Sequence, residues 1–225
     1  MNLPAIIAHR GASHVELENT LASFRKAVEL GADGIELDVH GTADGVLLVH
    51  HDPDIGGRAI ADHTADELRE RPLKNGEPVP TLAEALNAIG TNLDVYIEVK
   101  ALAEHLDATL LATMDAGPAP AHYHVHGFDH RLIRRLTTER PALSAGVLSA
   151  SYPLDPVAPA RAAGARTLWQ VQDLIDVPLV AQIHDAGMQV IAWTVDRPFD
   201  ARRLAALGVD GLCTNEPDRI RETLT

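Results

Sequence analysis

A parallel (β/α)8 TIM barrel is the fold this sequence predicts, and two observations predict it. Eight short apolar or β-branched runs alternate with helix-like stretches along nearly all of the 225 residues. Several of those stretches end in Gly, which tolerates the left-handed backbone that closes a helix. Strands alternating with covering helices form a parallel sheet, and eight such units in this length suit closure into a ring. An open doubly wound sheet is the alternative topology. The barrel carries a consequence: its chemistry should collect at the C-terminal ends of the strands.

The elements follow in order. The expected strands are "AIIAH" (5–9), "GIELDV" (34–39), "DVYIEVK" (94–100), "HYHVHGF" (122–128), "LSAGVL" (143–148), "ARTLWQ" (165–170), "MQVIAWTV" (188–195) and "DGLCT" (210–214). Helical patterns fill most gaps: 19–31, 81–90, 107–117, 129–139, 177–187 and 199–208. Two segments break the alternation. "TADGVLLVHHD" (42–52) carries an Ala-Asp-Gly turn signal before another apolar run, so it reads as a hairpin returning after the second strand. Residues 53–80 are polar and rich in Gly and Pro, with one short helical piece near 65–70. Together, about 42–80 form a rim insertion on a single domain spanning 1–225, with no repeat or linker.

Composition narrows the function. Apolar residues are 46% of the chain and charged ones 23%, an ordinary globular balance with enough apolar material for a full core. Aromatics are 4%, so that core is mostly aliphatic. A net charge of −13 argues against a nucleic-acid partner and against stable association with an anionic membrane. An acidic protein that handles an anionic substrate needs a local positive centre. The single cysteine, Cys213, has no partner for an internal disulfide, and the start "MNLPAIIAHRG" does not read as a signal peptide. A cytoplasmic location is expected. The oligomeric state is not determined at this level.

The polar residues near strand ends form a pattern. Glu36 and Asp38 lie two apart on a strand, so they face the same side, with Cα atoms roughly 6–7 Å apart. Two carboxylates on a strand of Ile, Leu and Val need compensation if that side is inside the barrel, and Mg²⁺ and Ca²⁺ prefer such oxygens. The alternative is a face that reaches solvent. Glu98 and Lys100 repeat the spacing on the next barrel strand. They either pair only with each other or add a third carboxylate and a cation to one site; convergence from neighbouring strands favours the site. His9 ends the first strand and His51 ends the hairpin. Histidine is the common proton carrier at neutral pH, so this pair suits a general acid and a general base. Arg10 offers a planar fork for phosphate oxygens. His14, His40, His50, His63, His105 and His184 are expected on surfaces or loops. His124 and His126 share a strand face and are expected to be satisfied structural histidines, with a place in the site as the alternative for His126 near the strand's C-terminal end. Trp169 is expected to be a packing residue, with a site role as its alternative.

At this point the chain resembles a known family. "AHRGA", "ENTLASFRKAVELGADGIELDVHGTADGVLLVHHDP", "PTLAEAL", "YIEVK" and "WTVD…GVDGLCTNEP" are similar, in order from residue 8 to about 218, to the glycerophosphodiester phosphodiesterases. The resemblance implies a (β/α)8 barrel that hydrolyses glycerophosphodiesters to glycerol phosphate and an alcohol with one divalent cation, Mg²⁺ or Ca²⁺. By position it implies His9 and His51 as the acid–base pair and Arg10 and Lys100 at the phosphate. It implies Glu36, Asp38 and Glu98 as metal ligands, Glu18 orienting Arg10, Asn19 in support, and Trp193 against the glycerol. Related barrel phospholipases imply attack by the glycerol 2-hydroxyl through a cyclic phosphate, and direct attack by water is equally compatible. Leu17 stands where a proline is usual, Asp196 where Asn is usual, and Gly127 where serine is common. After His51 the chain has "IGGRAI" in place of a fuller Arg-Thr-Thr stretch, so contacts to the leaving alcohol are left open. Two other functions stay open: a lysophospholipase D or sphingomyelinase D-like lipid phosphodiesterase, which a long apolar rim would support, and a non-catalytic phosphate- or protein-binding barrel. The polar insertion speaks against the first, and the complete set of site residues against the second.

Overall fold

A computed structural model describes residues 3–225. Eight parallel strands close into a barrel: β1 (Ala5–His9), β2 (Gly34–Gly41), β6 (Asp94–Ala101), β7 (Tyr123–Gly127), β8 (Ala145–Ser149), β9 (Thr167–Val171), β10 (Gln189–Trp193) and β11 (Gly211–Thr214). They pair in that order, and β1 closes the ring between β11 and β2. The remaining short strands are β3 (Leu47–Val49), β4 (Asp54–Ile55) and β5 (Arg58–Ala59). All eight expected barrel strands are present, each shifted by no more than two residues at either end.

Helices α1 (Leu21–Glu29), α3 (Leu82–Ile89), α4 (Asp107–Ala116), α5 (His130–Glu139), α7 (Val177–Asp185) and α8 (Pro198–Leu207) occupy the six expected positions, and α2 (Ala65–Arg69) is the short piece in the insertion. Two helices were not anticipated. The five-residue α6 (Ala158–Ala162) is nearly all Ala and Pro, too short and uniform to show a periodic face. The terminal α9 (Pro217–Leu224) is polar except for buried Pro217 and Ile220 and the partly buried Leu224. Capping starts several helices sharply. Thr20 accepts from the Ser23 N–H at 3.2 Å while Ser23 Oγ accepts from the Thr20 N–H at 3.3 Å, a reciprocal box repeated by Thr81 and Glu84 on α3.

The two-residue period of each strand divides its side chains between two environments. Ile35, Leu37 and Val39 of β2, and Val95, Ile97 and Val99 of β6, join the helices in the main core. The alternate set points into the barrel. There Ile7, Leu148, Trp169, Ile191 and Cys213 form a small apolar floor, and Glu36, Asp38 and Glu98 are buried above it. A single inward face therefore carries both the second core and the polar residues.

The hairpin is confirmed: β3 runs antiparallel to the end of β2, with Val39 opposite Val49. The rim insertion is less polar in effect than its composition suggested. Leu48, Ile55, Ile60, Ala65, Leu68 and Val79 are buried together as a satellite core, and Arg69 reaches Glu84 on α3 at 2.8 Å. Few apolar residues suffice because β3 lends Leu48 to the cluster. Among the described residues no helix is long and apolar enough to cross a membrane.

Candidate functional site

Register brings the site residues to one level. His9 pairs with Glu36 across β1 and β2, Asp38 with Glu98 across β2 and β6, and Glu98 with His126 across β6 and β7. Side chains of residues directly opposite lie on the same side of the sheet, so these groups converge inside the barrel near its C-terminal mouth. A cavity at that mouth is lined on its polar side by His9, Arg10, Glu36, His51, Glu98 and Lys100. Phe128, Trp169 and Trp193 also line it.

Local backbone explains the residues after β1. Arg10 has φ 57°, unusual for a side-chain-bearing residue, and Gly11 follows at 83°. A Cβ on Gly11 would run into Ser23, so only glycine fits there. The turn directs the Arg10 N–H to Glu36 Oε2 at 3.1 Å and its guanidinium across the site. Arg10 Nη1 bonds both Glu18 oxygens at 3.0 Å, and its Nε lies 3.1 Å from Asp38 Oδ2. Asn19, also left-handed at φ 56°, donates from Nδ2 to Asp38 Oδ2 at 2.7 Å. Strained backbone of this kind costs on the order of 1–3 kcal/mol per residue and persists only where its surroundings enforce it.

Lys100 bridges two acids, with Nζ 2.8 Å from Glu98 Oε1 and 3.1 Å from Asp38 Oδ1. The pairing of Glu98 with Lys100 and their place in a common site are thus both realised. Burial opposes the charge of Asp38, but Lys100 and Arg10 outweigh it and hold its carboxyl below the usual carboxylate range. Glu36 is pushed the other way, well up, by burial and then by the charges of Asp38 and Glu98. Glu98 is raised by burial and Asp38 despite Lys100.

These features fit a cation. Glu36 Oε1 is buried with no hydrogen-bond partner. Ligand atoms of Glu36, Glu98 and His126 all lie within 4.8 Å of one another. Three buried carboxylates face two basic side chains; a divalent ion would turn that excess of negative charge into a net positive one. The Asp38 oxygens stand outside that three-atom group, 3.1 Å from Arg10 Nε and from Lys100 Nζ and 2.7 Å from Asn19 Nδ2, so Asp38 reaches a cation there only by turning toward Glu36 and Glu98.

His126 corrects an expectation. It is not a satisfied structural histidine: its ring is buried, Nδ1 has no partner, and Nε2 lies 3.9 Å from Glu36 Oε1. Burial pushes its pKa down to about 3, so it is a neutral donor at neutral pH. The parallel β6–β7 register put it beside Glu98, a relation that one strand's sequence does not contain. Trp169 does pack, stacked on His126 at 4.1 Å between centroids, and it also lines the cavity. His124, two residues away, stacks on Tyr96 and bonds Ser144 Oγ at 2.7 Å, with its Nε2 3.3 Å from Asp94 Oδ1.

His40 is a second correction. It is buried, with Nε2–H donating to the His51 carbonyl at 3.1 Å. Its position two residues after Asp38 placed it on the inward face, which strand spacing alone could have indicated. His51 Nδ1 lies 2.8 Å from Asp52 Oδ1 at the open edge of the cavity. His9 is more enclosed; its pKa is lowered by burial and by Arg10, which keeps the ring neutral. Its Nδ1 lies 2.8 Å from Asn215 Oδ1, and Asn215 is in turn held by Asp196. Asn215, just past the last strand, was not singled out from sequence; its place at the C-terminal end of β11 was the available signal. Trp193 meets Phe128 edge to face at 5.6 Å.

Comparison with known proteins bears on this arrangement. The profile of the Glycerophosphoryl diester phosphodiesterase family matches residues 9–219. A glycerophosphodiester phosphodiesterase from Caldanaerobacter subterraneus is 33% identical over 231 residues, covering 96% of this chain and 95% of its own. The crystal structure of a glycerophosphodiester phosphodiesterase from Parabacteroides distasonis superposes with TM-score 0.90 at 27% identity, covering 99% of this chain and 97% of that one. An Oleispira antarctica phosphodiesterase, solved in complex with the product sn-glycerol-3-phosphate, has TM-score 0.91 at 24% identity, covering 99% of this chain and 97% of its own.

Proposed function

This chain belongs to the glycerophosphoryl diester phosphodiesterase family, and on that premise we propose that residues 1–225 form one catalytic domain that hydrolyses glycerophosphodiesters to glycerol 3-phosphate and an alcohol. The observation that carries the proposal is the convergence of His9, Arg10, Glu36, His51, Glu98 and Lys100 on a single cavity. The Oleispira antarctica relative, bound to glycerol 3-phosphate, supports the substrate class.

In this reading Arg10 and Lys100 receive the phosphodiester. Each is already held in place by carboxylates, so little reorganisation is needed as negative charge grows on the phosphoryl oxygens. Neutral His9 suits the proton acceptor, and His51, at the open edge beside Asp52, suits the donor to the leaving alkoxide. The nucleophile whose proton passes to His9 is a water or the substrate's own 2-hydroxyl. Glu36, Asp38 and Glu98 are assigned to the divalent cation, with His126 as an added nitrogen donor. When bound, the cation supplies Lewis-acid polarisation of a phosphoryl oxygen. Mg²⁺, Ca²⁺ and Mn²⁺ suit the carboxylates, and the nitrogen also admits borderline ions such as Fe²⁺ or Zn²⁺. Trp193 is assigned to the glycerol face and Glu18 to holding Arg10. The lone, buried and unpaired Cys213 is consistent with a reducing, cytoplasmic setting.

Release of glycerol 3-phosphate from glycerophosphocholine, -ethanolamine, -glycerol and -inositol tests the proposal, with Mg²⁺, Ca²⁺, Mn²⁺ or chelator. Chelator-sensitive turnover of at least one is expected. Silence on all four from folded, metal-supplied protein would remove the activity.

A second reading has its own observation. Exposed Phe128, Tyr152, Leu154, Val177 and Phe199 all stand on segments that follow β7–β10, on the side of the barrel where the site opens. The apolar part of the rim therefore comes from these segments, not from the polar insertion. Such a rim favours a substrate whose glycerol keeps an acyl chain, as in lysophosphatidylcholine. Including that lipid in the same assay separates the readings: preference for it over glycerophosphocholine selects the lipid reaction.

A further inference from the structure

We propose that Asp196 is a positioning residue that acts through Asn215 to keep the ring proton of His9 on Nδ1, leaving Nε2 as the lone pair that receives the nucleophile's proton. The inference rests on the reading of His9 as the general base, and it assigns a role to the carboxylate found where Asn is usual in the family.

The orientation of Asn215 is determined by its neighbours. Asp196 Oδ2 lies 2.7 Å from Asn215 Nδ2, and Asp196 Oδ1 accepts from the Asn215 backbone N–H at 2.8 Å and from Thr214 Oγ at 3.0 Å. An ionised carboxylate only accepts, so the amide must turn its NH₂ toward Asp196. Asn215 Oδ1 is then fixed on the opposite side. There it meets Ser13 Oγ at 2.9 Å and His9 Nδ1 at 2.8 Å. A carbonyl oxygen cannot donate, so the neutral imidazole must carry its proton on Nδ1. His9 Nε2, on the other side of the ring, faces the site 4.0 Å from Glu36 Oε2. Proton uptake there gives an imidazolium that retains its Nδ1–H bond to Asn215, so the ring need not turn during the reaction.

An asparagine at 196 would lack this directionality. Its amide can present NH₂ to Asn215 Oδ1, which frees Asn215 to rotate and offer its own NH₂ to His9 Nδ1. The tautomer with the proton on Nε2 then becomes available, and that tautomer cannot act as a base toward the site. A group that fixes a catalytic histidine's tautomer acts on turnover more than on substrate binding.

The test is ¹⁵N NMR of the histidine ring nitrogens in metal-free protein near pH 8, where an ordinary imidazole is neutral, with the His9 signals identified by their loss in His9→Gln. The wild type should show a protonated Nδ1 and an unprotonated Nε2. Asp196→Asn should move population to the Nε2-protonated form and lower kcat about 10- to 100-fold with KM nearly unchanged. The reciprocal double variant, Asp196→Asn with Asn215→Asp, sets an acceptor-only carboxylate directly against Nδ1. It should restore the tautomer and return kcat to within a few-fold of wild type. An unprotonated Nδ1 in the wild type, or an Asp196→Asn protein with unchanged tautomer or unchanged kcat, would overturn the proposal. If Asp196→Asn does not fold, the wild-type spectrum and the double variant decide. The NMR readout requires no turnover, so an inactive wild type would count against the proposed reaction and leave the tautomer measurable.

Discussion

Replacing His126 with Gln should make the metal-free protein less sensitive to mild acid than the wild type. The folded His126 ring has its pKa pushed down to about 3 by burial, whereas the unfolded chain protonates at the ordinary value of about 6.5. Between those values the unfolded chain holds a proton that the folded one refuses. Stability is therefore full above the unfolded value and falls as pH drops below it. One proton corresponds to about 1.4 kcal/mol per pH unit, so moving from about pH 7 to about pH 5 costs the wild type roughly 2 kcal/mol that His126→Gln retains. Other groups titrate over part of this range: Asp38 is held low, while Glu36 and Glu98 are held high. They are common to both proteins, so most of their contribution cancels in the difference, which reports His126 together with its coupling to Glu36 and Glu98. Urea unfolding with chelator present, followed by far-UV circular dichroism at several pH values, measures it. Parallel stability curves would refute the reasoning. They would mean that His126 ionises inside the fold by pairing with Glu36 Oε1, 3.9 Å away.

Three further outcomes are expected. His9→Ala and His51→Ala should each lower turnover by about 10²–10⁴-fold with the circular dichroism spectrum unchanged; near wild-type rates in either would remove that residue from proton transfer. Glu36→Gln should raise the cation concentration needed for half-maximal activity by at least about tenfold, since it removes a buried charge from the donor group, and an unchanged metal titration would exclude Glu36 as a ligand. Gly11→Ala should lower stability by at least about 1 kcal/mol, because the residue sits at φ 83° against Ser23. It should also raise KM by displacing Arg10, so an unaltered melting temperature and KM would show that this turn can relax.

The rhythm of strands and helices was written locally. A strand such as "GIELDV" carries its own two-residue alternation, so the shared face of Glu36 and Asp38 followed from spacing alone, while barrel closure turned that face inward. The five-residue α6 is too short to show a periodic face, and the terminal α9, though amphipathic, offers only a few apolar residues for its buried side. His40 lay on a face that spacing could have revealed. His126, Asn215 and Asp196 differ from it in kind, because their importance arises from pairings across strands distant in sequence.

By itself, then, the sequence determined the eight-unit barrel, the hairpin and rim insertion, and the polar residues at the strand ends, since each depends on residues a few positions apart. Only the tertiary structure decided which acids share a cation-sized space, that His126 stands with them, and that Asp38 faces Arg10 and Lys100. The same closure carried Asn215 to His9, 206 positions earlier in the chain. Ring closure brings β11 against β1, and no local pattern in either strand records what its neighbour will place opposite.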